Sequence, residues 1–329
     1  MIAKRISERI KGGNSWKLLT TLIVGLFVIL YPIIFGHPYI IFLLFLFFIW
    51  AIVSSSWDLI IGYAGVFNLG HVAFFVIGGF SSGILAKYLG IVPILCPILG
   101  GIITTFIVIV FVALPALRLP GVYIALYSIM FHITIPSLLT QTRKWSGGSK
   151  GLRGIPPLFE NIEMIHYYYI GLGLLAVSLF IIYKTIHSTT GQAFVALRDS
   201  RDFARSLGIN EYKEKVKVFG VSAFLVSVAG GVYAHYMESM TPTSLGITTF
   251  LLALTMVYIG GLGRFPGAVL GAALIVFADE FFRAMGMLRH VVLGSLIVFV
   301  VLFFPKGLIQ VFEYLEIFSK KTESEELLE

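Results

Sequence analysis

Residues 57–71, Trp-Asp-Leu-Ile-Ile-Gly-Tyr-Ala-Gly-Val-Phe-Asn-Leu-Gly-His, gather Asp58, Asn68 and His71 with glycines at 62, 65 and 70 between two strongly apolar runs. Each glycine weakens a helix by about 1 kcal/mol relative to alanine. Helices broken at membrane depth are tolerated where they line a cavity or are buried in protein. Their unwound backbone and half-helix ends can then bind the polar ends of a zwitterion, and Asp58 could carry a proton. The same residues also fit a plain turn between two spans, with Asp58 and His71 at the headgroup level.

A second set of candidates lies in residues 188–215 (STTGQAFVALRDSRDFARSLGINEYKEK). Placed on one helix, Arg198, Arg201 and Arg205 share a face. Ala193, Ala196, Leu197, Phe203, Ala204 and Leu207 cover the opposite side, and Gly208 offers a C-terminal stop. Such a helix suits an anionic lipid surface, a groove on a cytoplasmic partner, or a simple basic anchor. Third, Tyr258–Ala272 holds small residues at 260, 261, 263, 267, 268, 271 and 272, which would let helices cross closely. With the break near residue 62, this second Gly-rich interruption hints at an internal repeat around a central pathway.

His132, His235, Glu238, Asp279 and Glu280 are further ionisable residues in or near apolar runs, where such groups are costly. No Gly-Lys dipeptide occurs, hence no Walker A loop; nor does HExxH or a Cys/His metal spacing. The chain is therefore expected to be no enzyme and to need no cofactor or metal. Cys96 is the sole cysteine and sits in an apolar run, so no internal disulfide forms and it reads as a small packing residue.

The elements that must position these residues are membrane helices. Of 329 residues, 58% are hydrophobic and 12% charged; soluble domains carry about 25% charged residues. A span needs roughly 20 apolar residues. Apolar runs predict an all-α, polytopic transmembrane bundle of about ten spans, near 17–36, 39–60, 71–89, 92–115, 121–140, 167–187, 216–237, 249–263, 267–285 and 288–305. Broken or Gly-rich helices are expected near 60–71 and 238–265. The net charge of +7 reflects basic residues flanking apolar runs, not nucleic-acid binding.

With the N-terminus inside, seventeen Lys and Arg fall on the cytoplasmic side and seven outside, so both termini are expected in the cytoplasm. The organisation is then a cytoplasmic segment 1–16, a permease domain 17–308 and a cytoplasmic tail 309–329. The long outer loop is 141–166, and the long cytoplasmic loop is 188–215. The basic start does not read as a signal peptide, since its apolar stretch is long and lacks a small-residue cleavage pattern.

Six segments, in order, resemble the LivM-type permeases of branched-chain amino acid ABC importers. GYAGVFNLGHVAFFVIGGF (62–80) is similar to that family's GYxGxxSxGHAAFFGIGAY, and LRLPGVYIALYSIMF (117–131) to its RxxGVYFAxxTL. WSGGSKGLRGIP (145–156), GQAFVALRDSRDFARSLGIN (191–210), GGLGRFPGAVLGA (260–272) and FFPKGL (303–308) resemble its loop, inner-loop and closing motifs. Val66, Asn68 and Phe203 depart from the family pattern. The resemblance implies an inner-membrane permease subunit importing branched-chain amino acids by alternating access, with Asp58, Gly62, Gly65, Asn68, Gly70 and His71 on the substrate path. It implies that Arg198, Asp199, Asp202, Ala204, Arg205 and Gly208 couple to the ATPase, and that Gly260, Gly261, Gly263, Gly267 and Gly271 serve helix packing. It also implies two cytoplasmic ATP-binding subunits, a second related permease subunit and an extracytoplasmic substrate-binding protein. A urea or short-amide importer looks similar at these motifs, and a proton-coupled secondary transporter is the rival from another class.

Overall fold

A computed structural model describes residues 28–34, 36–116, 118–119, 121–160, 162–286, 288–303 and 307–310. A proline at the first helical position, where its missing N–H costs nothing, starts α1, Pro38–Asp58. A π-helical turn, Leu59–Tyr63, extends it. Helix α2, His71–Leu89, stops at Gly90, whose positive φ of 63° provides a left-handed C-cap. Helix α3, Cys96–Val108, continues through a second π-helical turn, Ile109–Ala113. Helix α4, Val122–Gln141, contains Pro136. Helix α5, Met164–Ile186, opens with a capping box between Glu163 and His166.

Two short helices follow, α6 (Thr189–Asp199) and α7 (Arg201–Ser206). Ser188 caps α6 by accepting from the Gly191 N–H, and Asn210 caps α8, Glu211–Met237, by accepting from the Lys213 N–H. Helices α9 (Ile247–Gly260), α10 (Gly267–Phe281) and α11 (Leu288–Phe303) complete the bundle. A small sheet is an antiparallel pair, β1 (Leu152–Arg153) with β2 (Ser239–Met240), in the register Leu152 to Met240.

Among the described residues, seven helical stretches are long and apolar enough to cross a membrane: 38–63, 71–89, 93–116, 122–141, 164–186, 211–237 and 242–260. They match seven of the ten expected spans. Helix α10 with the 3₁₀ turn that continues it carries Asp279, Glu280 and Arg283, more charge than an apolar span holds, and α11 is described over 16 residues. A 3₁₀ turn at Phe282–Met285 and Gly286 (φ 55°) divide them. Of the expected 17–36 span only 28–34 is described, as helix; residues 1–16 and 311–329 lie outside the described residues.

Helices α1, α2 and α8 form the centre, with 61–67% of their apolar windows buried against 22% for α4. Between apolar helices in lipid there is no hydrophobic drive, so close packing and hydrogen bonds must fix the arrangement. At the α2–α8 crossing a Cβ on Gly230 would lie 2.0 Å from the Phe75 carbonyl oxygen, and one on Gly78 2.4 Å from that of Ser227. Ser227 Oγ lies 3.2 Å from the Phe74 carbonyl oxygen across the same crossing and 2.5 Å from that of Ala223 on its own helix, so its one hydrogen is shared between them. Helices α9 and α10 meet as tightly: a Cβ on Gly271 would lie 1.9 Å from the Met256 oxygen, and one on Gly260 2.3 Å from that of Gly267.

Two backbones in contact at Gly271 leave no path for relaxation, so Gly271→Leu should cost about 3 kcal/mol through overpacking. Gly173→Leu, on a helix face with nothing within 4 Å, should be near neutral. Thermal unfolding of both variants in detergent checks the contrast.

Candidate functional site

The chain breaks where α1 runs into its π-helical turn. The turn closes with the Ala64 N–H donating to Leu59 O at 3.2 Å, and Gly65, at φ 64°, turns the chain away. Residues 65–70 then run without helix to α2. At Gly62 the backbone lies directly against another Gly-rich turn: a Cβ there would fall 2.2 Å from Gly263 N. Two ionisable side chains secure this contact. Asp58 Oδ1 accepts from the Gly263 N–H at 2.8 Å, and Arg198 Nη1 donates to the Gly62 carbonyl at 2.7 Å. Tyr63 Oη also accepts from the Phe265 N–H at 2.9 Å. A Cβ at Gly65 would lie 2.5 Å from Arg198 Cγ, so the arginine stem occupies the space a side chain would need.

The other side of the break is closed by aromatic and hydroxyl groups. Trp57 Nε1 donates to the Asn68 carbonyl at 2.7 Å, and its indole stacks on His71 with centroids 5.4 Å apart. His71 Nε2 lies 3.0 Å from Ser56 Oγ, which also lies 3.0 Å from Val53 O. Which of His71 and Ser56 donates to the other depends on the imidazole tautomer. His71 Nδ1 and Asn68 Nδ2 have no hydrogen-bond partner, and both residues are fully buried. An unpaired buried polar group costs about 1–3 kcal/mol, so this break holds two polar atoms unspent. Leu69 N donates to Ser128 Oγ at 2.8 Å, and Asn68 Oδ1 accepts from Gly70 N at 3.1 Å.

All six residues expected on the substrate path thus sit in one node, Gly65 half-buried and the other five buried. Beside it a largely apolar groove of about 370 Å³ opens between Val66, Phe67, Val122 and Ala125, with Arg201 at its rim.

The basic segment differs from the single helix expected. Asp199-Ser200 ends α6, with Ser200 extended at φ −156°, ψ 106°, and α7 starts anew. Short polar side chains compete with helical hydrogen bonds and favour such termini. Arg198, Arg201 and Arg205 consequently do not form one face. Arg198 turns to Gly62 and Asp199 (Nε–Oδ1 2.9 Å). Arg205 and Arg201 turn instead to Glu211, at 2.5 and 4.0 Å, where Lys215 also donates at 2.7 Å. Phe203 and Leu207, expected on the apolar side opposite the arginines, are 63% and 64% exposed, whereas Ala204 of the same set is fully buried. Asp202 lies in the first turn of α7, and Gly208 at φ 81° ends the segment. The Gly62–Arg198 bond and the two arginine contacts to Glu211 have no signal in the sequence, because they join residues far apart or across the helix break, whereas Glu211 and Lys215 are an i,i+4 pair within α8.

Among the remaining candidates, His235 anchors the 142–160 loop at the opposite end of α2. Its Nδ1 donates to the Pro156 carbonyl at 2.6 Å, which leaves Nε2 to accept from Ser82 Oγ at 2.9 Å. Tyr167 Oη donates to the His235 carbonyl and accepts from Leu158 N. His132 is buried; Glu238 takes a left-handed φ of 51° just after α8. Asp279 pairs with Arg289 at 3.1 Å and Glu280 with Arg283 at 3.2 Å. Cys96 is buried at the start of α3. Residues 147–151 spell GxSxG, but Ser149 sits exposed on a 3₁₀ turn, not the strand-to-helix elbow which that motif requires. No cluster of metal-binding side chains occurs among the described residues.

A bundle of apolar spans with a broken, glycine-packed helix pair at its centre is the architecture of a multi-pass membrane permease. The chain belongs to the permease-component family of branched-chain amino acid transport systems, whose model matches residues 39–303. It is 26% identical over 291 residues to the high-affinity branched-chain amino acid transport system permease protein LivM of Salmonella typhimurium, covering 79% of this chain and 68% of that protein. LivM of Escherichia coli K12 gives the same identity and coverage. The permease protein LivH of Escherichia coli K12 is 29% identical over 140 residues, 42% of this chain and 44% of LivH. No solved structure matches the chain.

Replacing His235 by alanine orphans the Ser82 hydroxyl and the Pro156 carbonyl. The expected cost is about 1–3 kcal/mol, with trypsin cutting at Arg143, Lys144, Lys150 or Arg153 several-fold faster than in wild type. Timed proteolysis in detergent, with Ser149→Ala as a silent control, reads this out.

Proposed function

We propose that this chain is a membrane subunit of an ATP-driven importer for branched-chain amino acids and that it forms one wall of the translocation path. The observation that carries the reading is the exposed pair of Phe203 on α7 and Leu207 at its C-cap, held out by a buried Ala204 and an ionic anchor on Glu211. Large apolar side chains presented on a short rigid helix at a basic end suit a groove on a soluble partner. A secondary carrier has no transport step that needs such a knob.

In this reading α6 and α7 engage a cytoplasmic ATP-binding subunit through Asp199, Asp202, Ala204, Arg205 and Gly208, and Arg198 carries the coupling inward to Gly62. Two such subunits, a second related permease and an extracytoplasmic binding protein complete the importer. Both termini face the cytoplasm. Similarity to both LivM and LivH supports a paired permease. The substrate passes the break at Asp58, Gly62, Gly65, Asn68, Gly70 and His71. There the unpaired Nδ1 of His71 and Nδ2 of Asn68 supply hydrogen bonds for a polar end, and the apolar groove fits an aliphatic side chain. The bundle alternates its access because the ATPases bind its two states with different affinity.

The test is uptake of radiolabelled leucine by cells expressing the whole importer, with Phe203→Asp and Leu207→Asp in this chain. Each variant should insert normally, lose the ATPase in pull-down and lose at least tenfold of the uptake. Uptake that persists without bound ATPase establishes a secondary transporter; urea uptake in place of leucine establishes an amide importer.

A further inference from the structure

The node around Gly62 contains one side chain from outside the spans. Arg198 leaves the last turn of α6, passes over Gly65 and ends on the Gly62 carbonyl. Its Nη1 also lies 3.0 Å from where a Cβ on Gly263 would stand, so the guanidinium touches both turns of the contact. Asp58 reaches the same contact from α1, holding Gly263 N. A third segment closes on the turn: a Cβ at Gly307 would lie 2.4 Å from Gly261 Cα, and Leu308 N donates to Ile259 O at 2.7 Å.

We infer that Arg198 is a latch that transmits displacement of α6 and α7 to the broken end of α1, and so positions the path without lining it. This rests on the reading of the chain as an ABC permease. The physical basis is the nature of the bond. The π-helical turn already departs from the regular i→i−4 ladder, and such turns recur at functional positions. A charge-assisted hydrogen bond from guanidinium to carbonyl is about twice as strong as a neutral one. A pull on α6 therefore reaches the Gly62 peptide directly. No side chain at 62, 65 or 263 cushions it, because all three positions are glycine. Asp199 fixes the guanidinium's other edge, so the fork moves with its helix. By contrast, the Glu211 cluster ties Arg201 and Arg205 to α8 and leaves Arg198 as the arginine of the three that reaches α1.

The experiment uses the purified whole importer in proteoliposomes, comparing wild type, Arg198→Gln and Arg198→Lys for leucine uptake and ATP hydrolysis together. If Arg198 is the latch, Arg198→Gln retains its ATPase subunits and its hydrolysis while uptake per ATP falls at least tenfold. Arg198→Lys, which keeps a donor to Gly62, recovers part of it. A merely structural arginine would lower both activities in proportion and leave uptake per ATP unchanged, which overturns the inference. A wild-type importer without ATP-dependent leucine uptake overturns the functional reading instead. If Arg198→Gln does not assemble, amide exchange over 59–66 in the wild-type importer decides. A several-fold change on trapping with a non-hydrolysable ATP analogue supports the latch, and no change rejects it.

Discussion

Backbone lies against backbone where Gly62 meets Gly263, and the described fold is organised by that contact. Neither residue can carry a side chain there, and Asp58 holds the pair together by accepting from the Gly263 N–H. In an apolar medium, a hydrogen bond to a carboxyl oxygen resists replacement because no water competes for it. The contact sets where α1 must end, since a regular helix through Gly62 and Gly65 would drive α1 past the 261–264 turn. It sets the depth of α9 and α10, whose own Gly260–Gly267 approach begins three residues away. Through Arg198 it also sets where α6 can lie.

The two ends of the bundle are held by different means. At the 58–71 end, ionisable side chains bind backbone atoms of glycine turns, so rigid helices meet at points with little packing to spread a force. At the far end of α2, the 142–160 loop is spread over a two-stranded sheet, a histidine bridge from Ser82 to Pro156 and a tyrosine that both donates and accepts. Many modest bonds over a broad area make a stiff cover, whereas a few strong bonds between small contacts make a movable joint. This asymmetry suits a protein whose proposed work is to receive a push at one end.

Between these ends, helix register is fixed by hydroxyls and glycines. Leucine-rich faces in lipid slide at little cost. Ser227 on the Phe74 carbonyl, Ser54 on that of Ala268 and Ser222 on that of Ser56 each name one register and reject its neighbours. The exposed apolar side chains elsewhere, such as Phe106, Phe180 and Phe281, carry no such information and can face lipid in any rotation.

What the sequence determined by itself was whatever depends on composition or local order. Apolar runs of span length read as helices because a lipid-exposed backbone has no other way to satisfy its polar groups. The clustered glycines at 62, 65 and 70 marked a break because they weaken a helix wherever they occur. The order of six motifs placed the chain among its relatives. The tertiary structure alone decided what those glycines touch, that one expected basic face is divided between two helices, and that Phe203 and Leu207 point outward. It also decided that Arg198 ends on Gly62 and that His71 and Asn68 keep polar atoms in reserve. These are pairings between residues up to two hundred positions apart, set by three-dimensional closeness, and hydrophobic periodicity records only which side of a helix is apolar.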